Sequence, residues 1–403
     1  MHEGNGRASR EGAGCSMARV RRREPVVSAP TTGRAPTPGR APTPGRAPTL
    51  TAGKLWGMRR MSDADGLMRM VAVDQRPPIK NPIAAHYGSD EAPYGDVAGV
   101  KSLLIECLQG EATAMLLDPH YAMPRGLHLL SPAKGLVVTL EDSKFRETPA
   151  GRMSAEIDGW SVEKIKRAGG DAVKVLAWYR PDAGSGANEH QHDFVKRIGE
   201  ACARYDIPFL LEMLAYPLAG EADQTADYRE TAAKRADHVL GAVDEFAKPD
   251  YGVDLFKLES PVPGEGVPGP DGEGGEAVQE LFDQMGRLAG RPWIMLSAGV
   301  GKEAFMRVLR HAYRSGASGY LAGRAIWLDA FAHFPDWEAM RRGLETESMD
   351  YMRAINALTA AEATPWHAHH GGEAALGLVP GDGSFRFAYE GFDAIERFGA
   401  DST

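Results

Sequence analysis

The chain has 403 residues, 43% of them hydrophobic and 25% charged, a composition that supports a large globular core. Its three cysteines, Cys15, Cys107 and Cys202, exclude a disulfide framework and point to a reducing, cytoplasmic setting. The net charge of −9 divides into +9 over the first 60 residues and −18 over the remaining 343, so the acidic body would repel a polyanion.

Two further classes are disfavoured. No run approaches the roughly 18–20 apolar residues that span a membrane, and the N-terminus lacks the apolar core of a signal peptide. The N-terminal arginines are scattered and without interleaved aromatics, which argues against nucleic-acid binding.

Residues 1–50 read as a disordered extension. The stretch "GRAPTPGRAPTPGRAPT" at 33–49 repeats Gly, Arg, Ala, Pro and Thr every six residues and offers nothing to bury. Met58 and Met61 stand as alternative starts. Residues 51–366 form the predicted domain, and 367–403 a C-terminal tail.

Within the domain, short apolar runs alternate with amphipathic segments. The runs are 67–73, 113–117, 135–140, 171–178, 207–214, 253–258, 292–298 and 318–323. They are nearly continuous in apolar residues, as strands buried on both faces should be. Helices are predicted between them, at 97–109, 160–168, 188–204, 224–247, 275–288 and 302–315, with a last one at 346–363. Eight β-then-α units argue for a parallel eight-stranded (β/α)8 barrel, an α/β TIM-barrel fold. A doubly wound open sheet lacks support, because no G-x-G-x-x-G follows the first strand.

In such a barrel, chemistry collects at the carboxyl ends of the strands. The polar residues there are Asp74, Asp118, Glu141, Asp142, Lys174, Glu212, Lys257, Glu259, Ser297 and Arg324. Lys257 stands inside the apolar run "VDLFKL". Lys174, Glu212 and Lys257 sit on consecutive strands, the fourth, fifth and sixth. A structural ion-pair cluster is the plain alternative, since buried charges must pair.

Three such residues together favour chemistry. Only a neutral amine attacks a carbonyl, and a free lysine is almost entirely protonated at neutral pH. A second ammonium and desolvation shift that balance. The product of attack is an iminium, an electron sink through which a neighbouring carbon–carbon bond breaks. A carboxylate such as Glu212 must move the protons. The residues alone leave Lys174 and Lys257 both open as nucleophile.

The last two strands run into Gly-containing turns, "LSAGVGKEAF" at 296–305 and "LAGRAIW" at 321–327. Turns in this position commonly cradle phosphate with backbone amides and a helix N-terminus. Ser297, Gly299, Gly323 and Arg324 would form that cradle, with Arg324 supplying charge. A sulfonate would satisfy the same donors. His367, His369 and His370 of "WHAHHGG" fall in the tail, which offers no fixed elements to converge on a metal.

The motifs "VAVDQR", "LLDP", "DAVKVLAWY", "FLLEMLAYP", "DLFKLESPV", "LSAGV" and "SGASGYLAGRAIW", in this order, resemble the class I tagatose 1,6-bisphosphate aldolase family. That family includes the aldolase for 6-deoxy-6-sulfofructose 1-phosphate. The resemblance covers residues 51–366. It implies a metal-free, cofactor-free enzyme with a lysine Schiff base at Lys257, an acid/base glutamate at Glu212 and a supporting lysine at Lys174. Asp74 and Gln75 would contact substrate, and Ser297, Gly299, Gly323 and Arg324 would hold phosphate. It further implies a small-molecule sugar phosphate as substrate and a homo-oligomer. The expected reaction splits a ketose 1-phosphate or 1,6-bisphosphate into dihydroxyacetone phosphate and a three-carbon aldehyde. Its rivals are the sulfosugar activity, a metal-dependent aldolase, which no histidine pair at a strand end supports, and a non-catalytic sugar-phosphate-binding regulator.

Overall fold

The structure is a computed structural model that describes residues 1, 50–221, 234–378, 381–389 and 391. The chain divides into two units after Arg46, and the fold described here belongs to the second. The six-residue repeat lies outside the described residues.

Eight parallel strands close on themselves. They are β1 (Met68–Ala72), β2 (Ala114–Leu117), β3 (Gly135–Thr139), β4 (Ala172–Trp178), β5 (Phe209–Leu214), β6 (Leu255–Leu258), β7 (Trp293–Met295) and β8 (Gly319–Ala322). Each pairs with its neighbours in sequence, and β8 returns to β1. Gly319 makes that closure possible. Its φ is +146°, and a Cβ there would stand 1.8 Å from the Met68 carbonyl oxygen.

Strand residues alternate between two environments, as a pleat of period two requires. Val71, Met115, Val138, Val173 and Phe256 face outward. They share one core with Val97, Phe194, Phe282 and Phe305 from the surrounding helices. Met70, Leu116, Val137, Leu210, Leu255, Ile294 and Leu321 face inward and fill the lower barrel. Further along the same inner faces the side chains turn polar: Asp74 follows Met70 and Ala72, Lys174 follows Ala172, Glu212 follows Leu210, and Lys257 follows Leu255. An apolar floor therefore lies beneath a charged layer.

The floor is closed from both ends of the chain. Helix Ala52–Met61 places Met58 and Met61 in the lower cluster, with no exposed surface, and Leu50 joins them. Lys54 pairs with Asp254 at 2.9 Å, and the Arg60 guanidinium donates to the carbonyls of Pro132 and Lys134. At the other end, Trp366 is 1% exposed and its indole N–H donates to Ser62 Oγ at 3.1 Å. The segment expected to be a loose tail thus begins with ordered short helices, Trp366–His370 and Glu373–Ala375. The burial of one tryptophan fixes it.

The seven predicted helices correspond to Tyr94–Leu108, Val162–Arg167, Ser185–Arg204, Ala236–Phe246, Gly275–Ala289, Lys302–Arg314 and Met349–Glu362. The first twelve residues of the one expected at 224–247 end at Arg235, and 222–233 lie outside the described residues. A small antiparallel hairpin, Arg146–Thr148 with Gly151–Met153, was not expected.

Candidate active site

Register brings the site together. Glu212 lies opposite Leu176 on β4 and opposite Lys257 on β6. Lys174, two residues before Leu176, shares its face one step deeper in the barrel. Thr139 on β3 lies opposite Lys174. Three neighbouring strands therefore aim Lys174, Glu212 and Lys257 into one cavity above the floor, and Thr139 Oγ1 donates to Asp74 beside them. The cavity holds about 750 Å³ including its open mouth, and Asp74, Lys174, Glu212 and Lys257 all line it.

The two lysines are held differently. Lys174 Nζ stands 2.6 Å from Glu141 Oε1, 2.9 Å from Glu212 Oε2 and 3.2 Å from Asp74 Oδ2. Lys257 Nζ pairs with one carboxylate among the described residues, donating to Glu212 Oε2 at 2.9 Å. Both ammonium groups thus share one carboxylate oxygen. All five residues are buried, at 6% exposure or less.

The fields follow from this packing. Burial would lower the Lys174 pKa, but Glu141, Glu212 and Asp74 overcome it and hold the value well above the usual lysine range. Burial would raise that of Asp74, but Lys174, Lys257, Arg76 and Lys101 outweigh it and hold the carboxyl well below its ordinary value. Glu141 goes the other way: burial pushes its pKa up despite Lys174 and Arg76.

The turns after β7 and β8 form the adjoining wall. Ser297, Gly323 and Arg324 line the lysine cavity with Gln75. Gly299 faces a neighbouring cleft that Arg324 also borders. Its φ is +82°, and a Cβ there would lie 2.9 Å from the guanidinium carbon of Arg324. Ala298 also has a positive φ, +47°, so the turn holds a strained backbone beside the site. A Cβ on Gly323 would lie 2.5 Å from the Gln75 amide nitrogen. Gly323 precedes helix Arg324–Phe331, whose first turn presents its N–H groups beside the cavity.

All nine expected site residues therefore border the lysine cavity or the adjoining cleft. Asp118 does not. It is fully buried against Lys101, and its other oxygen accepts from the backbone N–H groups of His120 and Tyr121. Glu259 accepts from the Ala215 backbone and pairs with Lys234. These two brace the loops above the strands. Arg76 is not among the expected site residues, yet it is 6% exposed, lines the cavity and donates to the Glu141 carbonyl at 3.0 Å. Trp178, also outside the expected set, stands on the cavity wall with Leu176 and Leu296. The arginine inside "VAVDQR" was the signal for the first, and the apolar end of the fourth run for the second.

Among the described residues, no group of three or more His, Cys, Asp or Glu is placed to hold a metal ion. Of the tail histidines, His369 meets the Gly316 carbonyl at 3.0 Å, and the His367 ring lies beside Trp366.

Known proteins share this framework. The family model for DeoC/LacD family aldolases matches residues 68–329. The tagatose 1,6-diphosphate aldolase of Listeria monocytogenes serotype 4b is 33% identical over 330 residues, covering 80% of this chain and 96% of the relative. Tagatose 1,6-diphosphate aldolase 2 of Enterococcus faecalis is 34% identical over 334 residues, covering 79% and 97%. Among solved structures, a fructose-bisphosphate aldolase from Plasmodium falciparum superposes with a TM-score of 0.55 at 12% identity, covering 76% of this chain and 94% of that one. At that identity the likeness speaks for the barrel fold alone.

Proposed function

This chain belongs to the DeoC/LacD aldolase family and is a carbon–carbon lyase, and from that premise we propose a class I ketose-bisphosphate aldolase that works through Lys257. The observation that carries the reading is the unequal grip on the two lysines. Three carboxylates hold Lys174 as a fixed cation. Lys257 has one among the described residues, the oxygen it shares with Lys174. The amine with the weaker grip is the one we assign as the nucleophile.

The steps use residues already in contact. Lys257 passes a proton to Glu212 and its nitrogen bonds to the ketone carbon. Glu212 relays that proton, and then a second one from the nitrogen, to the carbinolamine oxygen, which leaves as water and gives the iminium. Glu212 then takes the proton of the hydroxyl at C4. The C3–C4 bond breaks, the aldehyde departs, and its electron pair moves into an enamine on Lys257. Protonation of C3 and hydrolysis of the iminium free dihydroxyacetone phosphate and restore the amine.

Lys174 stays charged throughout and steadies Glu212, Glu141 and Asp74. Ser297, Gly299, Gly323 and Arg324 grip the C1 phosphate, and Asp74 and Gln75 orient the chain. No metal or organic cofactor enters this scheme. An ammonium already occupies the place among the three carboxylates where a cation would bind. The tagatose 1,6-diphosphate aldolase relatives point to a ketose 1,6-bisphosphate as substrate. Cytoplasmic placement belongs to the same reading and suits the free thiols of Cys107 and Cys202. A homo-oligomer is the proposed assembly.

Cleavage assays in EDTA test the reading, with tagatose and fructose 1,6-bisphosphates and 6-deoxy-6-sulfofructose 1-phosphate as arms. Release of dihydroxyacetone phosphate from a bisphosphate, undiminished by chelator, is expected. Activity that EDTA abolishes would contradict it. Turnover of the sulfosugar arm alone would move the substrate assignment.

A further inference from the structure

The scheme above leaves polar groups of the cavity unused. Arg76 donates through Nη2 to the Glu141 carbonyl. Its Nε and Nη1 are buried and have no hydrogen-bond partner among the described residues. Glu141 gives Oε1 to Lys174, while its Oε2 is buried and equally without one. Both side chains are more than nine-tenths buried, and both line the lysine cavity. Buried donors and acceptors in working proteins are satisfied by protein, solvent or ligand. Here an orphan donor pair and an orphan acceptor belong to two residues joined by a hydrogen bond and lining one cavity.

Their place in the barrel gives the pair a direction. The phosphate-gripping turns follow β7 and β8. Glu141 follows β3, four strands from β7 and so across the mouth, and Arg76 reaches it from β1. Lys257 on β6 and Glu212 on β5 lie along the wall between. A chain held by one end at β7–β8, with its second carbon on Lys257, points its far end toward Arg76 and Glu141.

Resting on the Schiff-base reading, we infer that Arg76 and Glu141 form the subsite for the aldehyde half of the substrate, binding its hydroxyl groups. Arg76 donates through Nε and Nη1, and Glu141 Oε2 accepts a hydroxyl proton. A donor and an acceptor together fit hydroxyls, which do both. A lone oxyanion fits less well, because Glu141 would face it. A site that hydrogen-bonds a substrate hydroxyl also discriminates strongly against ligands that misplace it.

The condensation direction separates the two halves. For the wild type, Arg76→Lys and Glu141→Gln, KM is measured for dihydroxyacetone phosphate and for glyceraldehyde 3-phosphate. In parallel, dihydroxyacetone phosphate with borohydride reports Schiff-base formation at Lys257. In each variant the aldehyde KM should rise at least about tenfold, the scale of one lost hydrogen bond. In Arg76→Lys the ketone KM and the extent of labelling should stay at the wild-type level; in Glu141→Gln, which also loosens the hold on Lys174, the aldehyde KM should rise several-fold more than the ketone KM. Equal changes for both substrates, or none, in the variants that fold would overturn the subsite. The two substitutions are independent, and Glu141→Gln preserves the shape of the side chain. A wild type that takes no label would instead sink the Schiff-base reading beneath it.

Discussion

Lys174 and Lys257 both stand 2.9 Å from the same oxygen of Glu212, yet among the described residues only Lys174 is surrounded by several carboxylates. In the proposed mechanism that asymmetry divides the labour of the site: one cation sets the field, the other does the covalent work. Glu212 joins them, so its loss should stop proton transfer while leaving the cavity's shape intact. Glu212→Gln is expected to bind substrate with near-normal KM and to turn over at least about 100-fold more slowly; a near-normal kcat would remove Glu212 from the mechanism. Asp74 carries a stability consequence. Its folded pKa lies below the ordinary carboxylate value of 3.8, because the surrounding cations outweigh burial. A carboxylate lowered on folding stabilises the fold above its unfolded pKa, and the contribution is lost as pH falls through the folded value. Melting curves of Asp74→Asn should therefore lose part of the wild type's decline below about pH 4. An acid limb identical in both proteins would show that Asp74 has no share in it.

At the scale of elements, the base of the barrel is sealed by helix Ala52–Met61 and by Trp366. Removing residues 1–49 should leave Tm and activity unchanged, since Leu50 is the first of the described lower-cluster residues. Removing residues 1–61 takes out Met58 and Met61 and the Lys54–Asp254 pair, and should cost at least about 2 kcal/mol, the lower end for large core deletions. Equal melting of the two truncations would show that the helix does not seal the floor. The eight strands were legible in the sequence because burial on both faces forces continuous apolar runs, and Lys174 and Lys257 stood out by interrupting them. The hairpin at 146–153 was not legible: its strands are three residues long, and much of its outer surface is polar. The tail hid its ordered start because Gly-rich sequence masks one well-packed tryptophan. Glu141 was visible as a strand-end charge. Its orientation, and the reach of Arg76 toward it, depend on register that the sequence does not print.

Taken whole, the molecule separates stability from chemistry along the barrel axis. The lower interior and the shell beneath the helices are apolar. The charged groups of the site gather at the strands' carboxyl ends, beside the glycine turns that follow β7 and β8. Acidic and basic groups balance there: Asp74, Glu141 and Glu212 stand against Arg76, Lys174 and Lys257. Such a balanced layer tolerates burial and keeps its charge when an amine becomes an iminium. With a body of net negative charge, the proposed mechanism relies on Arg324 and the turn amides to draw in an anionic substrate locally. All of this presupposes one covalent bond. Borohydride reduction in the presence of dihydroxyacetone phosphate, followed by peptide mass mapping, tests it directly. A reduced adduct on Lys257, absent from Lys257→Ala, is the predicted result; an adduct on Lys174, or none on either lysine, would contradict it.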